Sequence, residues 1–185
     1  MELSDIISVD AVRAPVKATS KKRLLQDLAD IAEQVYKLPS ATVYKALMDR
    51  EALGPTGVGR GVAIPHARFA GVTHVIGLFA RLEKPVDFES MDRQPVDLVF
   101  ALFAPEAAGA EHLKALARVS RTLRNESLCA KLRSTFDPSA IYAILTDGKA
   151  PTVGPRPKKE KKVEAAPVDG DEAPVKVAKK GGKKR

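Results

Sequence analysis

The sequence predicts a single α/β or α+β sandwich, and three observations carry that expectation. Helical apolar stripes come in pairs at both ends of residues 1–147, two strongly apolar segments occupy the middle, and the remaining C-terminal stretch changes composition abruptly. Apolar residues make up 44% of the chain and aromatics only 5%, without tryptophan, so the core is expected to be aliphatic.

Thr19-Ser20 precedes Leu24, Leu25, Leu28, Ile31 and Val35, an apolar face at helical spacing behind a capping residue. Pro39-Ser40 opens a second helix with Val43, Ala46 and Leu47 inward, running to about Leu53 and ended by Gly54. Residues 54–61, with glycines at 57, 59 and 61, read as a loop. A short apolar run, Val62-Ala63-Ile64, leads through Pro65 to His66 at its end. His74–Leu82 and Val96–Phe103 read as strands buried on both faces, joined by a turn-rich connection from Glu83 to Pro95. Gly109-Ala110 starts a helix with Leu113, Leu116, Ala117, Ser120 and Leu123 on one face. Two shorter helices follow at 126–133 and 138–146, the second opened by Asp137-Pro138.

Charge divides the chain unevenly. Of the net +8, residues 151–185 contribute 11 Lys and Arg against 5 Asp and Glu, so the body is almost neutral. The tail lacks aromatics, leucine and isoleucine, and so reads as disordered, giving a domain at 1–147 and a basic extension at 148–185. Its lysine clusters suit weak, non-specific nucleic-acid binding; a solvated tail that binds nothing is the alternative. The start is acidic and polar and no apolar run spans a bilayer, so a soluble, cytoplasmic protein, not membrane-embedded, is expected. The lone cysteine, Cys129, excludes an internal disulfide and a cysteine zinc cage. Asp87, Asp92 and Asp97 are separated by turn and strand signals and make no metal box, and His74 is assigned to structure.

The chemistry concentrates in residues 51–67. Gly57, Gly59 and Gly61 allow close backbone approach, and such loops present amides to anions. A Walker loop is excluded because no Gly-Lys-Ser/Thr triplet exists, and a dinucleotide fingerprint because Val62 stands where its third glycine belongs. Pro65 restricts the backbone on either side of the Ile64–Pro65 bond, just before His66. A neutral imidazole there is a competent nucleophile toward phosphorus, or else a satisfied histidine at a strand end.

Glu51, Val58, Gly59, Val62, Ala63, Ile64, Pro65, His66 and Ala67 resemble, position for position, the active-site motif of enzyme IIA domains of the bacterial phosphotransferase system, fructose–mannitol type. The similarity continues through Lys84–Phe88, Gln94–Phe100 and Glu111–Ala117 and is strongest to the nitrogen-related branch. The resemblance implies a mixed β-sheet flanked by helices on both faces, with His66 in a shallow depression. It implies phosphorylation of His66 on Nε2 by a histidine-phosphorylated carrier protein, with Arg50 near the phosphoryl group, His112 as a second active-site histidine, and no cofactor or metal. It further implies regulatory targets such as potassium transporters or sensor kinases. The sequence departs from the family at Pro55, where a serine is usual, and at Arg60, expected to add a cation close to His66 that pairs with the phosphate or with an acidic partner, or else to be a solvent-facing loop arginine. Two other readings stay open: a sugar-specific enzyme IIA serving a separate permease, and a binding protein anchored by its tail to nucleic acid or anionic surfaces.

Overall fold

The computed structural model describes residues 1–148; the expected disordered tail, apart from Gly148, lies outside them. Two short 3-10 turns, Leu3–Asp5 and Val9–Ala11, lead into β1 (Val12–Val16), followed by α1 (Lys21–Tyr36) and α2 (Ser40–Ala52). Then come β2 (Gly57–Gly59), β3 (Val62–Ala63), β4 (His66–Arg68), β5 (Ile76–Val86) and β6 (Val96–Ala104). The helices α3 (Gly109–Leu123), α4 (Glu126–Arg133) and α5 (Pro138–Leu145) complete the described part.

The strands form one mixed sheet in the order β1-β5-β6-β3-β2, with β4 also on β6. β5 and β6 are antiparallel, whereas β1 runs parallel to β5, and β3 and β4 run parallel to β6. Alternation along the central strands divides the core in two. Leu78, Ala80, Val99, Ala101 and Phe103 face α1 and α2, packing on Leu24, Leu28, Val43 and Leu47. Phe79, Leu98, Phe100 and Leu102 face the other way, onto Val119, Leu132 and Ile141 of α3, α4 and α5. Helices therefore cover both faces, as expected.

The helix ends follow their local chemistry. The Ser20 hydroxyl accepts from Arg23 N–H at 3.1 Å, and Asp137 accepts from Ser139 N–H at 3.1 Å with Pro138 in the first turn. Three sequence expectations need correction. Residues 54–61 are not all loop: Gly57–Gly59 is a strand, and the chain reverses at Arg60 and Gly61, whose φ angles of 58° and 76° give the two positive values a type I′ hairpin turn requires. β5 runs on to Val86, so Glu83-Lys84-Pro85 belongs to a strand rather than to the connection. The buried line of α3 is His112, Ala115, Val119 and Leu123, while Leu113 is 66% exposed. A pattern reading favours apolar residues inward, and here a histidine takes the inward place. β1 went unpredicted because Pro15 interrupts a short run; the strand is at the sheet edge, where proline is tolerated.

Candidate active site

β3 and β4 are one strand path with a gap. Val62 pairs with Leu98 and His66 with Leu102, the same offset, so the register on β6 persists across Ile64-Pro65. Pro65 has no N–H to give the ladder, but its carbonyl accepts from Leu102 N–H at 2.9 Å. His66 thus begins a strand segment rather than ending one, and its half-buried ring is held at the sheet's α2–α3 end.

Two contacts define the imidazole. Nδ1 lies 2.8 Å from the Ile64 carbonyl oxygen, and Nε2 lies 3.0 Å from Arg50 Nε. A carbonyl only accepts, so Nδ1 must carry the proton; a guanidinium only donates, so Nε2 must be the bare nitrogen. Both contacts select one neutral tautomer. Burial chiefly lowers the His66 pKa below its ordinary value, and the Arg50 charge adds to this, against the Ile64 hydrogen bond and the Glu51 charge. Nε2 is therefore unprotonated at neutral pH, its lone pair accepting from Arg50.

Arg50 sits in the last turn of α2 and is braced by a 3.0 Å hydrogen bond from Nη1 to the Gly54 carbonyl, at the point where the chain leaves the helix. His112 reaches the same place from the first turns of α3; its ring centroid is 5.5 Å from that of His66. Its backbone N–H is already bonded to the Ala108 carbonyl at 3.3 Å, so it offers no free amide to an anion. The side chain is buried, with Nδ1 lacking a hydrogen-bond partner. Desolvation first, then the charges of His66, Arg68 and Arg50, push its pKa down to about 4. Arg68, two residues after His66 on β4, was not singled out from the sequence; its i, i+2 strand position is the signal that could have found it.

The glycine segment has contacts elsewhere. A side chain at Gly57 would meet Ser90, one at Gly59 would meet Asp92, and one at Gly61 would meet Arg133 and Asp97. Arg60 donates its N–H to Asp92 at 2.7 Å, pairs its guanidinium with Glu126 at 2.7 Å, and accepts from Arg133 at 2.8 Å on its carbonyl. The structure thus brings Arg50, His66 and His112 together and turns the hairpin tip toward the β5–β6 connection and α4. A hollow of about 590 Å³ on that connection is lined by Asp87, Glu89, Ser90, Met91, Arg93 and Pro95, and none of the three site residues lines it. Among the described residues no helix is long and apolar enough to cross a membrane.

The chain is a member of the phosphoenolpyruvate-dependent sugar phosphotransferase system EIIA 2 family, which matches residues 5–148. It is 50% identical over 145 residues to the nitrogen regulatory protein of Bradyrhizobium diazoefficiens, covering 78% of this chain and 95% of that one. It is 36% identical over 148 residues to the nitrogen regulatory protein of Escherichia coli K12, covering 80% and 91%. The crystal structure of nitrogen regulatory protein IIA-Ntr from Neisseria meningitidis superposes with a TM-score of 0.74 at 37% identity, covering 78% of this chain and 99% of that one. The expected likeness to the nitrogen-related branch is borne out.

Proposed function

We propose that the chain is a phosphohistidine carrier that takes a phosphoryl group onto Nε2 of His66 from a histidine-phosphorylated carrier protein and signals by its phosphorylation state. The observation that supports this most is the paired contact of Ile64 and Arg50 with the His66 ring, which leaves Nε2 as the bare nucleophile. The donor's P–N bond breaks as the Nε2–P bond forms; His66 keeps its Nδ1 proton on the Ile64 carbonyl, and the donor, already protonated on its other ring nitrogen, leaves as a neutral imidazole. Bond type is conserved, so the step is near balance and its direction follows supply. Arg50 Nε then has no lone pair to donate to on Nε2; a small rotation aims it at a phosphoryl oxygen, where charge-assisted hydrogen bonding is strong. Arg68 and the neutral ring of His112 complete a positive, partly dry setting for the transferred group.

The regulatory reading is favoured over sugar delivery because the relatives at 50% and 36% identity bear the name nitrogen regulatory protein. Phosphorylation adds about two negative charges to a near-neutral body, enough to select among partners such as potassium transporters or sensor kinases. Residues 1–147 form the working unit in this proposal and 148–185 an appended basic arm. Incubation with a carrier that bears a labelled phosphoryl group on its histidine should give an acid-labile, alkali-stable label on wild type and on a 1–148 truncation, and none on His66→Ala. Label on another residue, or on His66→Ala, would sink the assignment.

A further inference from the structure

Glu51 follows Arg50 in α2 and turns away from it into the protein, where it is 9% exposed. A buried carboxylate is costly unless satisfied, and this one is. Its two oxygens accept from the Thr56 N–H at 3.1 and 3.2 Å, and Oε2 also accepts from the Thr56 hydroxyl at 2.6 Å. Lys21, the first residue of α1, approaches Oε1 at 3.3 Å. Thr56 is held on its donor side by this grip, and its carbonyl accepts from Ile64 N–H at 2.9 Å. That bond is the next rung of the β2–β3 hairpin beyond the Gly57–Ala63 pair. Ile64 in turn offers its carbonyl to His66 Nδ1 at 2.8 Å. An unbroken series of contacts therefore joins a buried charge to the ring that carries the nucleophile. The same grip closes the turn after α2, whose Gly54 carbonyl braces Arg50.

We propose that Glu51 and Thr56 are positioning residues for phosphoryl transfer, which act through the hairpin to hold the Ile64 carbonyl on His66 Nδ1 and the Gly54 carbonyl on Arg50. The proposal rests on the phosphohistidine reading of His66. Neither residue touches the imidazole. What they set is the tautomer and the aim of the guanidinium, because the nitrogen that keeps the proton is decided by the partner of the other nitrogen. Lys21, shared with Glu89 at 2.5 Å, brings a positive charge beside Glu51 and ties the start of α1 to the same point.

The test uses the full chain in three variants, Thr56→Val, Thr56→Ser and Glu51→Gln, with two readouts. One is single-turnover phosphoryl uptake from a histidine-phosphorylated carrier protein; the other is the ¹⁵N resonances of the His66 ring in the absence of any carrier. Thr56→Val removes one charge-assisted hydrogen bond and should slow uptake about tenfold, equivalent to about 1.4 kcal/mol of barrier. Its ring resonances should move from a single Nδ1–H tautomer toward an average of two. Thr56→Ser keeps the hydroxyl and should restore both readouts to within about twofold of wild type. Glu51→Gln should have the larger effect on both; if it fails to fold, the valine and serine pair decides. Slower uptake with unmoved ring resonances would overturn the proposal, as would wild-type behaviour of folded Thr56→Val. If wild type takes no label while Thr56→Val still moves the ring resonances, the phosphohistidine reading fails and the tautomer lock stands.

Discussion

Mild acid should destabilise this protein largely through His112, and the size of the effect follows from its burial. The folded-state pKa is about 4 against an ordinary value of 6.5. A lowered pKa means that the unfolded chain binds the proton first, so stability is full above the ordinary value and is lost as pH falls toward the folded value. The complete gap corresponds to about 3.4 kcal/mol at about 1.36 kcal/mol per pH unit. Between about pH 7.5 and about pH 5 the portion lost is about 2 kcal/mol, because at about pH 5 the unfolded imidazole is almost wholly protonated and the folded one scarcely so. Urea unfolding followed by far-UV circular dichroism suits a chain without tryptophan, and with a slope of about 2 kcal/mol per molar the midpoint should drop by about 1 M from this residue. His112→Gln cannot titrate and should lose that part of the pH dependence while retaining the part, of the same sign, that the lowered pKa of His66 contributes. An unchanged drop in His112→Gln, or an NMR titration that puts His112 near the ordinary value, would refute the reasoning.

Other substitutions separate the site from its scaffold. Arg50→Ala should slow phosphoryl uptake about ten- to a thousand-fold, and Arg50→Lys should recover only part, since an ammonium has neither the Nε donor nor the fork that also reaches Gly54. Arg60→Gly should leave uptake unchanged and shift stability by less than about 1 kcal/mol, as relief of the left-handed backbone offsets loss of an exposed ion pair with Glu126; a drop in uptake would return Arg60 to the phosphate. Gly57→Ala sets a new Cβ 2.2 Å from the Ser90 hydroxyl oxygen and should destabilise by about 1–3 kcal/mol, partly relieved by Ser90→Gly in a double-mutant cycle read by urea midpoint.

Local signals carried most of the fold. The caps at Ser20 and Asp137 and the aliphatic stripes of α1 and α2 are statements about neighbours in sequence, and the structure repeats them. Expectations failed where a distant contact decides. β1 is a strand because β5 supplies its ladder, not because Val12–Val16 has a strong pattern of its own. α3 packs through His112, Ala115, Val119 and Leu123, which sets His112 beside His66 and leaves Leu113 outside the core. The glycine segment shows the same limit: its composition fits an anion-binding loop, yet Arg60 and Gly61 make a hairpin turn whose outer contacts are Asp92, Glu126 and Arg133.

The site motif itself was legible because its spacing is a consequence of that hairpin. Five residues take the chain from the Glu51 carboxylate in the last turn of α2 to the amide and hydroxyl it holds on Thr56. A two-residue turn at Arg60-Gly61 with a bulge between Gly57 and Gly59 brings Ile64 opposite Thr56, and two residues further on the His66 ring reaches back to the Ile64 carbonyl. An extra or missing residue in the hairpin would slip the register and present the other face of β3, so His66 would lose the acceptor on Nδ1 and with it the single tautomer. The fixed distance from residue 51 to residue 66 is therefore the length of a mechanical path, and Pro65 closes it. With no N–H of its own it leaves a gap in the ladder between β3 and β4, and across that gap the Ile64 carbonyl accepts from the imidazole while the Pro65 carbonyl and β4 resume the pairing with β6.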